Sequence, residues 1–334
     1  MTARTTADRG AGALAALLDR LPRRRPTLAV LTYHRVAPAA ERPDLHPGLR
    51  VDPGDFAAQL AVLARHAQPV SADDLLAARA GGAHLPARAV HVTLDDAYGC
   101  TERHAWPALR AASVPATLFV PTAYPDTGRT FWWDRLHHAL CATGAPDVAA
   151  SFARLRAEVA RRPHDEGMAL VAEVERTAGV DRPAPDVVGW AALGRMAGEG
   201  LALAPHSRTH PRLPGLPTEV LDAEVGGSWH DLVDRVGPAA RPLFAAPGGA
   251  EDDRVRAAAR RAGLVIGMTT ERGVNDGVAP RWDALRRINV GPRATGDLVR
   301  LQLHPTPHRA RAGALAARDR VRASLPARGG RTWS

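Results

Sequence analysis

The chain has 334 residues, 45% of them hydrophobic and 24% charged. These values lie close to globular averages and exclude wholesale disorder and a collagen-like fibre. The net charge of +9 comes from 44 basic residues against 35 acidic ones; every basic residue is an arginine, spread along the whole chain with aromatics at only 4%. A nucleic-acid surface would gather its cations on one face with aromatics between them, so no nucleic-acid partner is expected.

At the N-terminus Arg4 and Arg9 precede a short apolar run, residues 11–18, that Asp19 and Arg20 break and Arg23, Arg24 and Arg25 follow. With no small-residue cleavage pattern, this predicts an amphipathic helix (residues 1–27) rather than a secretory signal. A cytoplasmic chain is expected, at most peripheral to a membrane, because stable anchoring takes two signals. From Pro26 onward, short and nearly continuous apolar runs at 28–33, 90–94, 116–120, 201–204, 243–246 and 264–269 alternate with helical patterns at 56–66, 72–80, 102–112, 190–198, 218–236 and 252–262. Runs of this kind are what buried parallel strands look like, and the alternation predicts an α/β fold. Ser71 is a candidate helix cap, and Gly81 and Gly263 are candidate stops. Between Val120 and Leu201 the rhythm fails for about 80 residues where a βα unit needs roughly 30, so 122–188 reads as a helical insertion in a domain spanning 28–304. Its stretch 148–160 is amphipathic. The Arg- and Ala-rich tail, 305–334, reads as a loose helix or as disordered. Cys100 and Cys141 are too few for a disulfide framework and lack zinc-finger spacing, so both are expected as free thiols.

Three clusters sit at the ends of predicted strands, where α/β sheets and barrels place their active sites. Asp95 and Asp96 end the 90–94 run; adjacent carboxylates point to different sides, so one is free to bind a cation and the other to act as a base, although a turn or cap also uses Asp. His206 and His210 follow the 201–204 run and share a face if that segment turns helically. Pro247, Gly248 and Gly249 follow the 243–246 run, either as an ordinary strand-to-helix turn or as a place where a backbone N–H approaches a ligand. Two His and one carboxylate make a three-ligand site with open positions, catalytic in character because structural zinc sites are closed by four ligands. The same set suits a non-haem iron oxygenase, whose usual double-stranded β-helix disagrees with the βα rhythm.

Taken together, residues 92–98 (Val-Thr-Leu-Asp-Asp-Ala-Tyr), 206–210 (His-Ser-Arg-Thr-His) and 244–249 (Phe-Ala-Ala-Pro-Gly-Gly) resemble, in order and placement, the polysaccharide deacetylase family, also called NodB-homology or carbohydrate esterase family four. Segments 31–36, 114–120, 132–136 and 285–290 extend the likeness to the branch associated with bacterial surface polysaccharides. The resemblance implies a distorted (β/α) barrel of about seven parallel strands with the insertion as a cap. It implies Asp95 as general base and Asp96, His206 and His210 as ligands of a divalent metal, zinc foremost and cobalt or a similar ion the alternative. The Gly248 N–H would help hold the oxyanion. The expected partner is an acetylated glycan, whether polysaccharide, oligosaccharide or a lipid- or nucleotide-linked precursor, cleaved to acetate and an amino sugar.

Several positions depart from the family pattern. Leu94 and Ala97 stand where Phe and Gly are commoner. Ala245 stands where many members carry an Arg that orients the base; Arg287 is the candidate substitute, with a plain structural Arg the alternative. His304, in Leu303–His304, is the candidate general acid. His34 closes the first strand and either faces the site or is structural. Trp132 and Trp133 either stack on sugar rings or anchor the insertion, and Asp134 is a substrate contact or a helix cap. A catalytically impaired, glycan-binding homologue is the rival reading.

Overall fold

The computed structural model describes residues 6–21, 25–144 and 146–310. Seven parallel strands form the body: β1 (Thr27–Tyr33), β2 (Arg88–Asp95), β3 (Ala116–Val120), β4 (Ala202–Pro205), β5 (Leu243–Ala245), β6 (Ile266–Arg272) and β7 (Leu285–Asn289). They lie in the order β4-β3-β2-β1-β7-β6-β5. The two outer strands close on one another through a parallel bridge between Leu203 and Ala240, with Arg241 N–H donating to the Leu203 carbonyl at 2.8 Å. The order is therefore cyclic, and the sheet is a nearly closed, distorted barrel. Along β1, β2 and β3 almost every residue is buried, which is why these strands read as unbroken apolar runs rather than alternating ones.

Six of the seven strands coincide with the apolar runs; the seventh, β7, does not stand out, because its sequence Leu-Arg-Arg-Ile-Asn mixes charge into the strand. Helices cover the outside. Side-chain caps fix several of their starts: Asp52 accepts from Gly54 N–H ahead of α2 (Pro53–His66), and Ser71 and Asp74 form a reciprocal capping box at α3 (Ala72–Arg79). Each satisfies donors that the first turn leaves open. The predicted helix 102–112 is split into a π-helical turn, Thr101–Ala105, and α4 (Trp106–Ala111); Pro107 offers no N–H and so cannot extend a regular ladder through that point.

The insertion folds as three helices, α5 (Trp132–Ala142), α6 (Val148–Arg161) and α7 (His164–Ala178). Phe131, Leu136, Phe152, Leu155, Val159 and Val171, with Tyr124, give it an apolar core shared with Tyr98 of the barrel loop after β2. It stands over the C-terminal ends of the strands. The barrel resumes with α8 (Trp190–Gly198), and α9 (Thr218–Val236) and α10 (Asp253–Arg261) flank β5. The N-terminal helix α1 (Thr6–Arg20) docks on α11 (Gly296–Gln302). Among the described residues no helix is long and apolar enough to cross a membrane. The Arg-rich tail beyond residue 310 and most of the Arg23–Arg25 run lie outside the described residues.

Candidate active site

Asp95 is the last residue of β2, and the chain turns sharply just beyond it: Asp96 and Ala97 both take left-handed backbone angles, with φ of 74° and 51°. Side chains rarely adopt this conformation, and two in a row cost free energy that the surrounding packing must hold. The turn separates the two carboxylates and leaves both buried, at 2% exposure each.

His206 follows β4, tied by its N–H to the Val120 carbonyl at 2.9 Å. The segment to His210 is not helical. It is a tight turn with left-handed Ser207 and His210 (φ 62° and 59°). Ser207 Oγ accepts from His210 N–H at 3.1 Å, and Glu224 Oε2 on α9 accepts from both Arg208 N–H and Thr209 N–H at 2.9 Å. The i, i+4 spacing thus brings the two imidazoles together by a clamped loop, their rings 4.9 Å apart. Glu224 had no signal in the sequence beyond being an acid within a helix.

The imidazoles converge on one oxygen. His206 Nε2 lies 3.5 Å and His210 Nε2 3.3 Å from Asp96 Oδ1, and that oxygen is buried without a hydrogen-bond partner among the described residues. The three ligand atoms lie within 4.8 Å of one another. His206 Nδ1 is 2.7 Å from the Ala245 carbonyl; an outer hydrogen bond of this kind fixes the tautomer and turns Nε2 toward the centre. Buried acceptors are almost always satisfied. A carboxylate oxygen left orphaned between two imidazole nitrogens therefore fits a divalent cation.

Arg287 reaches in from β7. Its Nη1 donates to Asp95 Oδ1 at 2.8 Å and its Nε to the Thr269 carbonyl at 2.9 Å, and the side chain is 2% exposed. Burial opposes ionisation of Asp95, but the Arg287 guanidinium, with His206 and His34, outweighs it and holds the pKa below the usual carboxylate value. The guanidinium that orients Asp95 thus comes from β7 rather than from the β5 end, where Ala245 stands and serves through its backbone carbonyl.

His34, after β1, lines the same cavity with a buried Nδ1 that has no hydrogen-bond partner among the described residues. Burial lowers its pKa, against the opposing pull of Asp96 and Asp95. Gly248, left-handed at φ 60° within the turn Pro247–Gly249, also lines the cavity. A Cβ there would meet nothing, so the backbone angle rather than space accounts for glycine.

His304 is not at the site. It follows α11, where its Nε2 lies 3.2 Å from Asp19 Oδ1 at the end of α1. The docking of α11 on α1 draws the Leu303–His304 pair away from the strand ends, and His304 does not line the cavity.

Trp132 and Trp133 open α5 and both line the cavity. Trp133 is 8% exposed; its indole N–H donates to Tyr98 Oη at 2.8 Å, Phe131 stacks on it at 4.6 Å, and its ring lies edge-on 4.9 Å from His210. It anchors the cap beside a candidate ligand, while the half-buried Trp132 remains open to the cavity. Asp134 is neither a helix cap nor a cavity residue. It accepts from Tyr98 O–H at 2.7 Å and from His46 N–H at 2.8 Å, and burial pushes its pKa up to about 6. Cys100 and Cys141 are both free thiols.

The deep end of the cavity thus holds a candidate cation triad, an oriented carboxylate, an unpaired imidazole and a glycine turn. Among solved structures, the chain is similar to the Streptococcus pyogenes deacetylase PplD in complex with acetate (18% identity, TM-score 0.60, 84% of this chain and 100% of that one). It is also similar to IcaB from Ammonifex degensii (20% identity, TM-score 0.59, 84% and 98%). A third similar structure is a de-N-acetylase from Aggregatibacter actinomycetemcomitans (14% identity, TM-score 0.59, 83% and 99%). At these identities the likeness is one of fold. No curated protein matches the chain. The family model for polysaccharide deacetylase matches residues 82–267, more than half of the sequence and all of β2 to β5, and the chain belongs to the polysaccharide deacetylase family.

Proposed function

We propose that the protein is a metal-dependent hydrolase that removes the acetyl group from an N-acetylated sugar of a polysaccharide, oligosaccharide or glycan precursor. The observation that carries this reading is the orphaned Asp96 Oδ1 between the Nε2 atoms of His206 and His210, with Asp95 held beside it by Arg287. Asp96, His206 and His210 would hold the cation, and their two-nitrogen, one-oxygen donor set suits zinc, with cobalt or a similar ion next. Such an ion supplies Lewis acidity for the acetyl carbonyl and for the attacking water.

The remaining steps belong to the chain. Asp95 has one oxygen committed to Arg287, so Oδ2 takes the proton as the water oxygen bonds to the acetyl carbon. The Gly248 N–H, in a turn that lines the cavity, would share the oxyanion. As the carbon–nitrogen bond breaks, Asp95 gives up the proton it took from water to the leaving amine nitrogen and is restored as the base, and His34, an imidazole lining the same cavity, is the candidate relay in place of His304. Acetate and a free amino sugar result.

The test pairs metal analysis with turnover. Purified protein should carry about one divalent ion per chain and lose it in His206→Ala. Asp95→Asn should keep the ion while acetate release from N-acetylated glycans falls by about 10²–10⁴-fold. Unchanged turnover in Asp95→Asn would overturn the catalytic assignment. A wild type that stays metal-free with zinc supplied would leave a glycan-binding homologue as the better reading.

A further inference from the structure

The two ends of the insertion are hydrogen-bonded to the two turns that carry the candidate ligands. At its start, Thr122 N–H donates to the Ser207 carbonyl at 3.1 Å and Ala123 N–H to the Arg208 carbonyl at 3.0 Å, which fastens the turn between His206 and His210. At its end, Val188 N–H donates to the Ala97 carbonyl at 2.8 Å and the Asp186 carbonyl accepts from Gly99 N–H at 2.9 Å, which fastens the turn after Asp96. Both turns contain left-handed residues other than glycine, Ser207 and His210 in one and Asp96 and Ala97 in the other. Backbone of this kind persists only where its surroundings over-determine it, and the insertion supplies part of those surroundings at each turn.

The two imidazoles are oriented by different means. His206 is turned by the bond between its Nδ1 and the Ala245 carbonyl. Among the described residues no protein group bonds to Nδ1 of His210; its ring meets Trp133 edge-on at 4.9 Å and Phe131 at 5.7 Å instead, both at the start of α5. Trp133 is itself fixed. Tyr98 Oη accepts from its indole N–H at 2.8 Å and donates to Asp134 Oδ2 at 2.7 Å, so two consecutive residues of α5 engage one hydroxyl as donor and acceptor. Asp134 Oδ1 in turn accepts from His46 N–H at 2.8 Å. Tyr98 stands two residues beyond Asp96, is 1% exposed, and has the Arg35 guanidinium 5.6 Å over its ring. One phenol therefore ties the insertion to the Asp96 turn, and the indole it holds is the packing partner of His210. A metal-bound imidazole ordinarily has its second nitrogen bonded to a carbonyl or carboxylate, and loss of that outer partner weakens metal binding by about 10–100-fold. At His210 an aromatic wall takes the place of that bond.

We infer that the insertion completes the metal centre: Trp133, held by Tyr98, is a positioning residue for His210. The inference rests on Asp96, His206 and His210 being metal ligands, and its test reads zinc affinity rather than turnover. Measured on the full chain by competition with a chelating dye, zinc affinity should fall about tenfold or more in Tyr98→Phe and in Trp133→Phe. Both substitutions break the same hydrogen bond, so the double variant should bind within about threefold of the weaker single one rather than show the product of the two losses. Leu155→Ala loosens the core of the insertion on α6 without removing a hydrogen bond or a ring contact, and it should leave zinc affinity unchanged. Circular dichroism confirms that each variant is folded before its affinity is compared. Wild-type affinity in the folded Tyr98→Phe and Trp133→Phe variants, losses that multiply in the double variant, or an equal loss in Leu155→Ala would overturn the inference and leave Trp133 as an anchor of the insertion alone. A wild type that binds no zinc would instead sink the metal reading itself, and the inference with it.

Discussion

Two clusters of Asp, His and Arg sit at opposite ends of the barrel strands, and the same residue types do different work in each. At the N-terminal ends, Asp19 gathers Arg300 at 2.7 Å, Arg88 and His304 at 3.2 Å and His66 at 3.4 Å. One carboxylate is saturated by four basic groups. Burial works against its ionisation, and Arg300 and Arg88 overcome it. This cluster ties α1, α11, α2 and the start of β2 together. At the C-terminal ends, two carboxylates are buried with two imidazoles and one guanidinium. Arg287 satisfies Asp95, whereas Asp96 presents an oxygen without a hydrogen-bond partner among the described residues. A saturated carboxylate is a fastening; an orphaned buried one, flanked by nitrogen ligands, is a place prepared for something the chain does not itself supply.

Three further changes sharpen this contrast, beginning with the largest effect. Arg287→Ala should lower kcat by about 10²-fold, close to the lower end of what a general base contributes, with KM little changed because Arg287 positions Asp95 and the sugar is held elsewhere. Arg287→Lys should restore only part of the rate, since it cannot bond Asp95 and the Thr269 carbonyl in the same fork. A full-rate Arg287→Ala variant would place this arginine with the merely structural ones.

Asp134 is an intermediate case, a buried carboxylate whose two hydrogen bonds come from the neutral donors Tyr98 O–H and His46 N–H. Its pKa is raised from 3.8 to about 6, so the folded state holds the proton more tightly than the unfolded one. Its contribution to stability is fully present below about pH 4 and is lost as pH rises through 6. Compared with Asp134→Asn at each pH, the wild type should lose about 2–3 kcal/mol between pH 4 and pH 7. Denaturant unfolding of both proteins at the two values checks this; a difference that does not vary with pH would show that the donors fully compensate the charge.

His304→Ala tests the fastening cluster. It should lower unfolding stability by about 1–2 kcal/mol, since a nearly buried partner of Asp19 is removed, while metal content and kcat/KM stay within twofold. A large loss of turnover in an equally folded variant would return His304 to the catalytic machinery.

How much of this could be read beforehand depended on the range of the interactions. The runs of β1 to β6 and the acids and imidazoles at their ends were legible because burial on both faces and position after a strand are local properties. The helical insertion was legible as an interruption of the rhythm. The site's supports were not. Arg287 lies 192 residues from Asp95, in a strand whose mixed charge hides it. The Glu224 clamp belongs to an ordinary-looking amphipathic helix, and the i, i+4 histidines converge by a strained turn rather than by a helical face.

The amino-acid order by itself determined the α/β alternation, the residues available at each strand end and the family to which they belong, because these follow from local burial patterns and short motifs. Tertiary structure alone decided that Arg287 would serve Asp95 and that His34 would reach the cavity while His304 was claimed by Asp19. The reason is closure. Setting the last strand beside the first joins residues from the two ends of the chain, and which polar groups are satisfied or left unpaired is settled only when all of those neighbours are in place.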